Sequence, residues 1–281
     1  MSSAVQSVRL ATGVTVPFVE RGSPDKTPVV LLHGFTDSWR SFELVLLCPP
    51  SGRLFAVSQR GHGHAGRPES FRPEDFSADL LAFLDALDVE RAIIVGHSMG
   101  SLVAQRFAID HPERVQGLVL VGAFACLQRN PAHDEKWERS LWRLQDPVPS
   151  TFAREFQQST IAQLLPQPFL DMVVRESTKV PARVWQAAWE GMLVTNLERE
   201  LHRIAAPTLL VWGDRDACFT RSEQRRLHRG IPSSRLLIYR GAGHALHWEQ
   251  PNRFAQDLQR FIAGVTHQND RSMRTCHGRA I

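Results

Sequence analysis

The 281-residue chain changes its hydrophobic period in an ordered way. Residues 7–10 and 14–20 alternate apolar and polar positions about Thr12-Gly13, which predicts a hairpin. Six short, continuous apolar runs follow, at 28–32, 53–58, 92–95, 118–121, 207–212 and 235–239. Runs of that length and composition predict strands buried on both faces. Helical spacing lies between them. Phe76, Leu80, Leu84 and Leu87 form one apolar face behind Pro73-Glu74-Asp75, with proline in the first turn and acids at the positive end. Leu102, Val103, Phe107 and Ile109 form another, stopped by Pro112, and Phe254, Leu258, Phe261 and Ile262 a last one. Strand–helix alternation predicts a mostly parallel sheet with helices on both faces.

The alternation breaks between 124 and 204, where proline and polar turns separate amphipathic helices and no strand is predicted. Residues 1–123 and 205–264 thus read as the sheet-bearing core and 124–204 as an inserted helical cap. Residues 265–281 read as a polar, unpatterned, flexible tail. Four of the seven tryptophans (Trp137, Trp142, Trp185 and Trp189) fall in the cap.

Composition excludes more than it identifies. No apolar run approaches the roughly 18 residues of a membrane span, and MSSAVQSVRL has neither the basic nor the apolar region of a signal peptide. Four scattered cysteines, with no C-x-x-C pair, read as reduced thiols, so a cytoplasmic protein is expected. Net charge is only +4, half of it from the tail, and no basic block interleaves with aromatics. That argues against a nucleic-acid partner despite the overall basicity.

The candidate chemistry centres on Gly96-His97-Ser98-Met99-Gly100, between the 92–95 strand and the following helix. Strand, G-x-S-x-G, helix is the context of a nucleophile elbow, whose sharp turn lifts the serine Oγ above the sheet edge. The two glycines suit a turn that brings backbone against backbone. A serine nucleophile needs a base and an acid to orient it. Two later strands end suitably: one in Gly213-Asp214-Arg215-Asp216, the other before Gly241-Ala242-Gly243-His244, with His247 close behind.

With these pieces in order, residues 5–264 resemble an α/β-hydrolase. HGF after the third strand, QRGHG after the fourth, then GHSMG, WGDRD and GAGHALHWEQP carry the resemblance. It implies an eight-stranded, mostly parallel α/β-hydrolase sheet with helices on both faces and an inserted helical cap. Ser98 would be the nucleophile, Asp216 the acid (by its spacing from Gly213) and His244 the base. The N–H groups of Phe35 and Met99 would form the oxyanion hole. Two positions depart from the pattern: Ser58 stands where an acid is usual, and Ala65 where serine is common. His33 reads as a loop-organising side chain. His62 and His64 form an H-x-H without a third ligand nearby in sequence, so no metal is expected.

The expected activity is acyl transfer to water, without cofactor, on a small hydrophobic ester or lactone. The expected substrate-binding residues are Trp39, Phe124, Trp185 and Trp189. Serine at the elbow argues against epoxide hydrolases and haloalkane dehalogenases, and His97 before it against carbon–carbon bond hydrolases. Carbon–carbon bond hydrolase, perhydrolase or cofactor-free oxygenase chemistry on the same triad, and a ligand-binding receptor of the same fold, are the competing readings. A monomer or homodimer is expected.

Overall fold

The computed structural model describes residues 4–130 and 135–277. Eight strands form one sheet: β1 (Gln6–Arg9), β2 (Thr15–Gly22), β3 (Pro28–Leu32), β4 (Arg53–Val57), β5 (Ala92–His97), β6 (Val115–Val121), β7 (Thr208–Gly213) and β8 (Ser234–Tyr239). Their spatial order is β1-β2-β4-β3-β5-β6-β7-β8. β2 runs antiparallel to both β1 and β4, and every other pairing is parallel. The expected eight-stranded, mostly parallel sheet is therefore present.

Because side chains alternate across a strand, each buried run feeds two cores. Val29, Leu31, Ile93 and Val95 face one, which α1 (Glu43–Leu47) and the last helix cover. Val30, Leu32 and Ile94 face the other, with α2 (Pro73–Ala86) and α3 (Met99–Asp110) packed on it. Arg60 clamps the loop after β4 to α2 by a buried two-pronged pair with Asp79, both N–H···O distances being 2.7 Å.

Among the described residues, four α-helices lie between β6 and β7: α4 (Glu135–Leu141), α5 (Ser150–Ser159), α6 (Gln167–Lys179) and α7 (Ala182–Val194). The two ends of this insertion are tied together where Leu197 N–H donates to Ala125 O at 2.9 Å. Its entry is fixed by two buried glutamines. Gln105 on α3 donates to Phe124 O and Gln224 on α8 (Arg221–Gly230) to Ala123 O.

A short helix, α9 (Leu246–Glu249), precedes α10 (Pro251–His277). His247 therefore sits on α9, one element before the last helix. The tail expectation needs correcting over its first part. Val265 is buried, the Thr266 hydroxyl lies 3.2 Å from that of Thr27, and the helix continues to His277. Apolar positions beyond Gly264 are too sparse to show this in a helical pattern. Residues 278–281 and the side chain of Cys276 lie outside the described residues. Cys48, Cys126 and Cys218 are free thiols. Among the described residues no helix is long and apolar enough to cross a membrane.

Candidate active site

β3, β5, β7 and β8 are parallel, so the segments that leave them emerge at one edge of the sheet. Ser98 follows β5 directly, with φ 51° and ψ −116°. Such a backbone is costly for any residue with a Cβ, by about 1–3 kcal/mol, and persists only where the surroundings enforce it. Here they do. A Cβ on Gly96 would lie 2.2 Å from Gly100 O, and one on Gly100 would lie 2.4 Å from Leu32 O. The elbow is thus packed backbone on backbone, as its two glycines require.

His244 follows β8 and is almost wholly buried. Its Nδ1 lies 3.0 Å from Asp216 Oδ2, and the Asp216 side chain is fully buried. The other Asp216 oxygen accepts from Cys218 N–H at 2.7 Å and Phe219 N–H at 3.0 Å. Three hydrogen bonds therefore fix this carboxylate. Asp214 is engaged elsewhere, since its Oδ1 accepts from Gly241 N–H at 2.6 Å and so ties the two loops together. The His244 ring is held between His97 and Phe219, at centroid distances of 4.8 and 5.4 Å. A Cβ on Gly122 would lie 2.7 Å from His244 Nδ1, so only glycine leaves room for the ring.

His247, the alternative base offered by the sequence, is also buried. Its Nε2 lies 3.2 Å from Ser41 Oγ, and burial pushes its pKa down to about 3. His97 packs in a tilted arrangement against both histidines and is held well below the usual imidazole range by burial and by its histidine neighbours. His33 bridges loops: its Nε2 accepts from Gln59 N–H, which leaves Nδ1–H to donate to Gly34 O. His62 and His64 diverge. Buried His62 points Nδ1 at Arg60 O, whereas exposed His64 approaches Lys179 Nζ. Ser58, the departure from the acid usual at that position, accepts Trp39 N–H at 3.2 Å.

Ser98 and His244 both line a pocket of about 320 Å³. Its walls are mostly apolar, from Phe35, Phe124, Phe156, Trp137, Trp189 and Phe219. Such a concave, aromatic site is of ligand-binding type. Phe124 and Trp189 are among the lining residues, and Phe35 contributes its ring.

Two expectations are corrected. Trp39 lines a separate surface cleft with Arg40 and His64, the Arg40 guanidinium stacking 4.8 Å from its ring. Its place soon after the HGF turn suggests the pocket, but the turn directs it away. Trp185 is fully buried behind the wall: it packs edge-on against Phe35 at 5.3 Å and donates Nε1–H to Ser177 O. Trp137, Phe156, Phe219 and Cys218 join the pocket without having been expected there. Phe219 and Cys218 follow Asp216 closely enough that the WGDRD loop could have pointed to them.

The Met99 N–H opens α3 and so has no intrahelical acceptor. Phe35 N–H has no backbone acceptor among the described residues. Both belong to segments that frame Ser98. One set of possible metal donors occurs among the described residues, Asp216, Cys218 and His244, with donor atoms within 4.8 Å of one another. Two of them already share a hydrogen bond. Burial and the Asp216 charge push the Cys218 thiol well above its usual range, so it is neutral.

A strained serine at the end of a central parallel strand shares an apolar pocket with a histidine–carboxylate pair, an arrangement of the α/β-hydrolase type. Similarity to known proteins agrees. The chain belongs to the α/β-hydrolase fold family, whose model matches residues 27–251. It is similar, at 26% identity over 92% of this chain and 98% of the relative, to a putative 2-succinyl-6-hydroxy-2,4-cyclohexadiene-1-carboxylate synthase of Bacillus subtilis. It is also similar to a pimeloyl-[acyl-carrier protein] methyl ester esterase of Neisseria meningitidis, at 29% identity over 84% of this chain and 94% of that one. Among solved structures, a Rhodococcus esterase superimposes with TM-score 0.80 at 25% identity, covering 93% of this chain and 99% of that one.

Proposed function

We propose that this protein is a serine hydrolase that cleaves a hydrophobic carboxylic ester or lactone through an acyl-enzyme, with 124–204 acting as a cap over the pocket. Ser98 Oγ attacks the carbonyl carbon while His244 Nε2 takes its proton. Asp216 holds the imidazole with its proton on Nδ1 and stabilises the imidazolium. The Phe35 and Met99 N–H groups receive the developing oxyanion. His244 returns the proton to the departing alkoxide and then activates water to release the acid. For a lactone, the alcohol stays attached to the same product.

The observation that carries this reading is the combination of a strained, pocket-facing Ser98 with a His244 already bound to a triply held Asp216. The aromatic wall favours an apolar or cyclic acyl group, and the ester chemistry named for the Neisseria relative supports an ester bond.

The test is a stopped-flow burst assay with p-nitrophenyl acetate and butyrate, together with fluorophosphonate labelling, on wild type and Ser98→Ala. The expected result is a stoichiometric burst and labelling that both vanish in the variant. Labelling and turnover that survive Ser98→Ala would overturn the assignment.

A further inference from the structure

The turn after β3 is held in place by the cap. Thr36, the residue after Phe35, is buried with φ 66°, a left-handed conformation that a β-branched residue rarely adopts. Something must enforce it, and the contacts come from two sides. From the cap, Gln157 on α5 donates Nε2–H to Asp37 Oδ1 at 2.9 Å and to Ser177 Oγ at 2.7 Å, and lies 3.4 Å from Thr36 Oγ1. Ser177 on α6 donates its own proton to Val173 O, so it accepts from Gln157 and, at 3.1 Å, from the Thr36 hydroxyl. From below, Ser41 Oγ donates to Asp37 Oδ2 and accepts Trp248 Nε1–H on α9.

Gln157 is 1% exposed and Asp37 3%. Burying an amide and a carboxyl together is a costly way to fasten a cap, because apolar residues would do it without desolvation. What the polar contact supplies is direction. It fixes a turn whose preceding residue, Phe35, carries the N–H that the acyl-enzyme reading assigns to the oxyanion hole. The same helix α5 sends Phe156 into the pocket, where its ring packs edge-on against Phe35 at 5.6 Å. A substrate pressing on the α5 wall therefore presses on the element that holds the turn.

We infer that Gln157 is a positioning residue, which locks the Thr36–Asp37 turn so that the Phe35 N–H is aimed at the oxyanion while α5 and α6 are docked. The inference rests on the acyl-enzyme reading above. Burial pushes the Asp37 carboxyl up to about 7, with His244 and Glu176 the charged groups acting on it and the Gln157 and Ser41 contacts opposing the rise. Asp37 is thus an acceptor whose charge is sparingly supported, which makes the Gln157 donor harder to replace.

The test compares Gln157→Leu with wild type, and Ser177→Ala as a milder second variant should the first not fold. Measured quantities are thermal midpoint, kcat and KM for p-nitrophenyl butyrate, and inhibition by a trifluoromethyl ketone against its methyl-ketone analogue. The trifluoromethyl ketone adds to Ser98 as a hemiketal oxyanion, whereas the methyl ketone reports ground-state binding. Losing an aimed oxyanion donor costs about 100- to 1,000-fold, and a misaimed one less. Gln157→Leu should lower kcat about 10- to 100-fold with KM within about threefold, and weaken the trifluoromethyl ketone by the same factor while sparing the methyl ketone. Ser177→Ala should shift in the same direction by a few-fold. A variant that keeps wild-type kcat, or raises KM alone, or weakens both ketones equally, overturns the inference. Wild-type enzyme with neither burst nor fluorophosphonate labelling overturns the acyl-enzyme reading, and this inference with it. Labelled, active wild type beside fully active variants overturns this inference only.

Discussion

On the acyl-enzyme reading, Asp216 separates stability from catalysis within one side chain. Its Oδ1 accepts two backbone N–H groups and its Oδ2 faces His244 Nδ1. Replacing it with alanine orphans the Cys218 and Phe219 N–H groups, each at about 1–3 kcal/mol where water cannot enter, so Asp216→Ala should lose about 2–6 kcal/mol of stability. Asparagine keeps Oδ1 on those two donors. Its Nδ2 must then face His244 Nδ1, and two donors cannot share a hydrogen bond, so the imidazole proton moves to Nε2. The base is then blocked at the atom that should take the Ser98 proton. In the serine proteases this exchange lowers kcat by about 10⁴, equivalent to about 5 kcal/mol of barrier. Asp216→Asn should therefore unfold in urea near wild type, within about 1 kcal/mol, while losing about four orders of magnitude in p-nitrophenyl butyrate turnover. Asp214→Asn, which retains the acceptor for Gly241 N–H, is the matched control and should stay within about twofold of wild type. The reasoning is refuted if Asp216→Asn turns over within tenfold of wild type, or if Asp216→Ala is as stable as Asp216→Asn.

The buried titratable groups predict a two-part pH response. His62 and His247, pushed by burial to about 4 and about 3, stay neutral in the fold but protonate near 6.5 when unfolded, so stability is lost as pH falls from about 6.5 towards 4. Urea midpoints between pH 7 and 5 should fall accordingly, and a flat profile would contradict the burial. Asp37 acts in the opposite sense: with its pKa raised from 3.8 to about 7, its contribution is fully present below about 4 and is lost as pH rises through 7. Wild type minus Asp37→Asn should therefore decline between pH 4 and 7, by at most about 4 kcal/mol, as followed by paired urea titrations. The two tryptophans on α7 should part company. Trp185→Ala removes a fully buried ring and should cost about 3–5 kcal/mol of stability, whereas Trp189→Ala, at the pocket wall, should raise KM for aryl esters with less effect on thermal unfolding.

The sheet and the elbow were legible because their signals are local. A continuous run such as 92–95 fits a strand buried on both faces, and glycines at 96 and 100 leave Ser98 the tight turn that the Leu32 carbonyl closes from the other side. Asp216 could be preferred to Asp214 only by spacing, and geometry supplies a physical reason: Asp214 is occupied by Gly241, leaving Asp216 to face His244. What could not be read is long-range. Trp39, Trp185 and Trp189 are alike as sequence, each an aromatic near a plausible mouth, yet one stacks on Arg40 in another cleft, one is sealed behind Phe35 and one lines the pocket. Helical periodicity says that a face is apolar, not whether it meets a neighbour or a cavity. Gln157 is the extreme case. A glutamine in an amphipathic helix carries no signal until α5 is seen lying over Thr36 and Asp37, 120 and more residues earlier in the chain. On the acyl-enzyme reading, then, the reacting atoms are set by local turns that sequence reveals. If the Gln157 contact aims them as inferred, substitutions in the cap should tune turnover without touching any residue of the sequence motifs.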